Sequence, residues 1–212
     1  MCGRYTLYSD NKIIRQQFNT DADLNFKPHY NITPSTYCPI LRLNQNKREL
    51  ALCHWGLIPH WAKSEIKVKP INAKAETVKD KPYFRHSYQK QRCLVPANGF
   101  YEWKVIAGKK QPYYIRPIGA ELFAFAGLWE HWDGTDHVIE SFTIITTAAN
   151  KRMSAIHHRM PVILGKQDYD NWLIKGNGQL LAPSPEDAIE IYKVSTTVNK
   201  PGNDSIDLIK PV

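Results

Sequence analysis

Apolar stretches at residues 37–43 and 49–57 stand on either side of a polar segment, Asn44–Arg48, and predict two strands joined by a turn. Upstream, residues 9–18 (SDNKIIRQQF) predict a capped helix, with Ser9 or Asp10 as N-cap. A proline opens a short predicted helix over 82–90. The middle of the chain then turns strand-rich. Residues 100–105, 112–116, 122–129 and 137–147 are aromatic or β-branched and are separated by Gly, Pro and Asp turns. A further apolar strand is predicted at 161–164, helices at 167–175 and 184–191, and a last short strand at 192–195. Ser184-Pro185-Glu186-Asp187 is the helix-start signal of the second of these helices. The order predicts an α+β fold, mostly antiparallel, with an open or closed barrel-like core and a few peripheral helices.

Length adds that the 212 residues suit one domain over 1–212. The chain is 42% hydrophobic and 23% charged, ordinary for a globular protein. Its apolar runs, such as 122–128, are far too short to span a bilayer, and the opening residues lack a signal-peptide apolar core. A cytoplasmic protein is therefore expected, with a monomer as the default and no membrane partner. Charge sharpens this. A formal net charge of +8 favours a polyanionic partner, and six Trp and eleven Tyr offer faces on which unpaired bases stack. Of the four cysteines, Cys38, Cys53 and Cys93 lie among apolar neighbours and read as core. No CxxC pair suggests zinc or a disulfide framework, and no metal or organic cofactor is implied.

Four stretches are too polar or too specific for the elements around them: Met1–Tyr5, PINAKAET (70–77), PANGFYEW (96–103) and IHHRMP (156–161). If Met1 is removed, Cys2 becomes the N-terminus and carries a thiol and an α-amine on adjacent carbons. Their reference pKa values, about 8.5 and about 7.7–8.0, leave both partly nucleophilic near neutrality. Such a 1,2-aminothiol condenses with an aldehyde, first as a Schiff base and then as a five-membered thiazolidine. An internal cysteine, whose nitrogen is an amide, cannot do this. Glu102 sits among aromatics, a setting that desolvates a carboxyl group and makes it a usable proton donor. Asn98-Gly99 is a turn or a point of close backbone approach. One histidine of His157-His158 suits acid–base work and Arg159 suits a phosphate; in an extended strand the two rings would point to opposite sides. If 71–77 is extended, Asn72, Lys74 and Glu76 share one face. Taken singly, each has a plain structural reading: a chance cysteine, an exposed strand Glu, a hydrogen-bonded His, a solvated polar stripe.

Together they closely resemble the SRAP family, the SOS-response-associated peptidase proteins that process abasic sites in DNA. The resemblance runs through MCGR, Tyr30-Asn31-Ile32-Thr33-Pro34, Trp55-Gly56-Leu57-Ile58-Pro59, INAKAET, NGFYEW, Gln111–Tyr114, 142–148, HHRMP and the tail from Val194 to Val212. It implies that Cys2, exposed by loss of Met1, captures the ring-opened abasic deoxyribose in single-stranded DNA as a thiazolidine crosslink, with lyase activity and reversal in some members. By position, Asn72 looks like the amide that holds the sugar and Cys2. Glu102 looks like the general acid/base, and His157 like the residue assisting sugar-ring opening. Glu102 and His157 are also linked to Met1 removal. The DNA-binding face is similar to the family's at Arg4, Asn31, Pro34, Trp61, Lys74, Thr146 and Arg159. Three positions depart from the pattern: Lys74 where arginine is common, Ala62 where a second Trp is found, and His158 where an acidic residue is common. Two other readings stand beside this one, a thiol peptidase acting on proteins and a single-strand-binding module without covalent chemistry.

Overall fold

The structure, a computed structural model, describes residues 2–21 and 26–212. Its strands are β1 (Tyr5–Leu7), β2 (His29–Ile32), β3 (Tyr37–Asn44), β4 (Lys47–Trp55), β5 (Asn72–Lys74), β6 (Arg92–Ala97), β7 (Gly99–Ile106), β8 (Lys109–Pro117), β9 (Phe123–Asp133), β10 (Val138–Ala148), β11 (Arg159–Pro161), β12 (Ile163–Leu164) and β13 (Ile189–Lys193). The α-helices are α1 (Asn11–Phe18), α2 (Arg85–Lys90), α3 (Lys151–Ser154) and α4 (Tyr169–Leu173).

Strands β10, β4, β3, β6 and β9 pair in that order, and β9 pairs back onto β10, so the ring closes into a five-stranded barrel. Every contact in the ring is antiparallel except β4–β10. Closure removes the exposed strand edges that an open sheet would leave. Trp55, Phe125, Phe142, Leu94 and Ile144 are fully buried in the resulting core, as are the free cysteines Cys38, Cys53 and Cys93. The β3–β4 hairpin turns on Gln45 and Asn46, both with positive φ (48° and 65°), the two-residue turn whose twist matches its strands. A second sheet, ordered β13-β8-β7-β1-β2, lies against the barrel.

The chain crosses from barrel to second sheet at Asn98-Gly99, and both residues are needed there. The buried Asn98 amide accepts from the Tyr8 and Ser9 backbone N–H groups and donates to Ser9 Oγ and the Glu121 carbonyl. A Cβ on Gly99 would fall 2.4 Å from the Tyr114 ring. Close backbone approach is thus the reason for this glycine.

Helix α1 forms where its signals predict. Asp10 accepts from Ile13 N at 2.9 Å, Asn19 closes the helix in the left-handed region, and Ile14 and Phe18 face the core. Three expectations are corrected. Residues 184–191 are not a helix: one short 3-10 turn, Glu186–Ala188, is followed at once by β13, which pairs with β8 from Ile189 to Lys193. The last strand therefore ends at 193 rather than spanning 192–195. The predicted strand at 161–164 is divided. Its first part, β11, pairs with β10 and its second, β12, with β9. Among the described residues, no helix is long and apolar enough to cross a membrane.

Candidate active site and nucleic-acid groove

The site is assembled at the C-terminal end of β10. One edge of β10 pairs with β9 and then β11; the other pairs with β4 and then β5. Thr146 consequently lies between Lys74 on β5 and Pro161 on β11. The start of the chain approaches from the second sheet, where Tyr5 pairs with Phe100 and the Tyr101 N–H donates to the Arg4 carbonyl. This register brings the residues before β1 toward Glu102.

Cys2 is fully buried. Its carbonyl accepts a hydrogen bond of 2.9 Å from Asn72 Nδ2. Burial pushes the Cys2 thiol well above its ordinary value, and the Glu102 carboxylate pushes it further in the same direction. Asn72 Oδ1 is buried without a hydrogen-bond partner, an acceptor that a bound hydroxyl or amine would satisfy. Glu102 is itself 3% exposed and lies on β7.

His157 follows α3, in a turn rather than a strand. The strand begins only at Arg159, so the condition for the two rings to point to opposite sides is not met, and they stack with centroids 4.4 Å apart. The Arg159 N–H donates to His157 Nδ1 at 3.0 Å. The proximity of His157, more than any other cause, pulls the His158 pKa down, with smaller contributions from Arg159 and Lys74. These side chains therefore form one electrostatic cluster.

The expected shared face of Asn72, Lys74 and Glu76 extends only as far as β5. The chain turns at Ala75, and Glu76 instead grips Arg159 through two bonds, of 2.5 and 2.9 Å. Arg159 also donates to the Thr146 carbonyl at 2.6 Å. Thr146 is fully buried, its hydroxyl directed at the Ala73 carbonyl, so it braces β5. Asn31 is likewise buried, and donates to the carbonyls of Val198, Lys200 and Asn203. Arg4 bonds Asn31 Oδ1 and the Val198 carbonyl and lies 5.6 Å from the Trp103 ring centroid. Arg4 and Asn31 thus clamp the C-terminal segment. Pro34 is half-buried and Lys74 exposed.

A groove of about 330 Å³ leads away from Asn72 and Lys74 past Thr77 and Lys81 to Tyr83 and Phe84. Trp61, 54% exposed, meets Tyr83 edge to face with centroids 6.1 Å apart. The groove thus links Trp61 to the Cys2 end of the site. Tyr83 and Lys81 line it, though sequence reasoning singled out neither. The only signal was a cation and an aromatic ring two residues apart. Ala62, in place of a second tryptophan, packs beside Ile58, Trp132 and Ile139, and its carbonyl accepts from Trp132 Nε1 at 2.7 Å.

The SOS response associated peptidase (SRAP) family model matches residues 1–201. The chain belongs to the SRAP family. It is similar to abasic site processing protein YoqW of Bacillus subtilis, 43% identical with 99% of each chain covered. It also resembles abasic site processing protein HMCES of Gallus gallus, 30% identical over 99% of this chain and 74% of that one. Among solved structures, a Bacteroides thetaiotaomicron protein superposes at a TM-score of 0.91 and 26% identity, with each chain covered in full. A Bordetella bronchiseptica protein superposes at 0.82 and 26% identity, covering 92% of this SRAP chain and all of that one.

Proposed function

We propose that this SRAP protein captures abasic sites in single-stranded DNA by forming a thiazolidine between Cys2, freed of Met1, and the ring-opened deoxyribose. The observation that carries the reading is the placement of Cys2, whose carbonyl is held by Asn72 while its thiol feels the Glu102 carboxylate. The names of the relatives support the substrate.

The chemistry requires proton transfers at each step. The cyclic hemiacetal opens when its ring oxygen gains a proton and its anomeric hydroxyl loses one; His157 suits this through Nε2, since Nδ1 is engaged by Arg159 N–H. The Cys2 amine then adds to the aldehyde carbon, and the carbinolamine loses water to give a Schiff base. Glu102 supplies the proton that leaves with that water. Finally the thiol adds to the C=N carbon and its proton passes to nitrogen, closing the ring with no further loss. Asn72, with its buried unpartnered Oδ1, suits a hydroxyl of the sugar. Lys74, Lys81 and Trp61 supply charge and a stacking face along the groove.

While Met1 remains, the Cys2 nitrogen is an amide and the aminothiol does not exist. The raised thiol pKa fits an unreactive precursor. The same shift weighs against a general thiol peptidase. Such a nucleophile needs a neighbouring cation to stabilise thiolate, whereas the leading charge acting on this thiol is a carboxylate.

The test is a denaturing gel of Met1-processed protein incubated with single-stranded DNA carrying one abasic site. A covalent band is expected with the wild type and none with Cys2→Ala. Intact mass should show the active protein lighter by one methionine. Absence of the band from fully processed wild type would sink the proposal. Salt-sensitive binding indifferent to the lesion would favour a non-covalent binding module.

A further inference from the structure

Beside Trp61 the surface opens into a depression of about 660 Å³ lined by His60, Trp61, Pro82, Arg85, His86 and Gln89. At its edge two imidazoles converge on one carboxylate. His60 Nδ1 lies 3.1 Å from Glu130 Oε2, and His86 Nδ1 lies 3.1 Å from Glu130 Oε1. The two rings are in contact, with centroids 4.1 Å apart. All the potential ligand atoms lie within 4.8 Å of one another. Glu130 is 1% exposed, whereas the histidine side chains are 42% and 44% exposed. Ser87 Oγ donates to Glu130 Oε1 at 2.5 Å and orients the carboxylate from behind.

We propose that His60, His86 and Glu130 form a binding site for a divalent first-row transition cation, with Zn²⁺ the best match. Two imidazoles and a carboxylate are a recurrent zinc ligand set. Donor atoms about 2.0–2.1 Å from a tetrahedral ion are separated from one another by about 3.3 Å, close to the two imidazole–carboxylate spacings of 3.1 Å already present. The serine on the carboxylate is the kind of outer partner that fixes a metal ligand. A buried carboxylate also gains more from a +2 ion than from two neutral imidazoles. Binding moves each ring proton from Nδ1 to the exposed Nε2 side, so neutral rings release none. A fourth position remains open to the depression.

The three ligands come from the loop before Trp61, from α2 and from β9. A bound ion therefore ties the Trp61 loop to the barrel wall. Trp61 also touches Tyr83 in the groove, so the ion would steady the proposed stacking face without entering the Cys2 chemistry.

The test uses untagged full-length protein freed of metal with a chelator. It is titrated with Zn²⁺ by calorimetry and with Co²⁺ by visible absorption. One equivalent of Zn²⁺ is expected. Co²⁺ should give the ligand-field bands of a four- or five-coordinate ion without a sulfur charge-transfer band. A His60→Ala/His86→Ala double variant should lose at least tenfold in affinity while keeping its far-ultraviolet circular dichroism. His60→Gln, on the exposed loop, provides a second variant if the double one fails to fold. The proposal is overturned if the wild type takes up no stoichiometric Zn²⁺, if folded variants bind it equally well, or if a sulfur band assigns the metal to cysteines.

Discussion

Two histidine pairs in this molecule share ring contact and differ in everything that surrounds it. His157 and His158 are sequence neighbours in a turn, with His157 Nδ1 engaged by a backbone amide and lysine and arginine charges close by. His60 and His86 come from separate elements and meet on a carboxylate that is 1% exposed. The first arrangement suits proton exchange, because a backbone amide fixes the orientation of the ring. The second suits a fixed cation or a structural clamp, because a buried carboxylate binds whatever positive or proton-bearing group is offered. Two similar pairs thus acquire different chemistry from what lies behind them.

Exchanging the carboxylates tests that contrast most severely. Glu130→Ala removes the acceptor of Ser87 and two imidazoles and should lower unfolding stability by about 2–3 kcal/mol in urea titrations. The isosteric Glu102→Gln should cost under about 1 kcal/mol yet slow crosslink reversal and strand cleavage about 100-fold, the scale of a lost proton shuttle. If Glu102→Gln instead costs stability and DNA binding equally, Glu102 is structural and the contrast fails.

A smaller effect concerns Cys2. With its thiol pKa raised, alkylation by iodoacetamide in the unprocessed chain should be slow at pH 8 and keep rising past pH 9, beyond the titration of an ordinary thiol. A plateau below pH 9, read by peptide mass spectrometry, would contradict the buried geometry. The smallest effect is at Glu76. Its pKa is lowered chiefly by the hydrogen bond from Arg159. The pair's contribution is therefore fully present above the unfolded value of about 4.5 and is lost as pH falls through the lower folded one. Glu76→Gln should flatten the acid limb of the urea midpoint between pH 5 and pH 3. Freeing Arg159 should also strengthen single-strand binding by about threefold or less.

The barrel was largely legible because its strands are long, apolar and separated by turn residues; β3, β4, β9 and β10 lie close to where the chain predicts them. Strands β1, β2 and β5 have only three or four residues each. Such strands exist because longer neighbours offer an edge, and no local signal marks them. The misread helix at 184–191 shows the same force. Ser-Pro-Glu-Asp starts a helical turn, but five residues of pairing with β8 outweigh its continuation. At the candidate site, motifs pointed to Cys2, Asn72, Glu102 and His157, and the structure sets Asn72 on the Cys2 carbonyl and the Glu102 charge near the Cys2 thiol. The Glu76 grip on Arg159 was not, because a turn rather than alternation decides where Glu76 points. The His60–His86–Glu130 group was invisible for a simpler reason: its members occupy three elements and no spacing rule links them.

The hold on Arg4 also sets a timetable. Its guanidinium is fastened to a carbonyl 194 residues further along the chain. During synthesis that bond becomes possible only after those 194 residues have been made. At about 5–20 residues per second, the opening residues wait roughly 10–40 s for their final anchor. Any enzyme that trims the start of a nascent chain has that interval in which to act. The segment around Val198, made 194 residues after Arg4, then locks it into place.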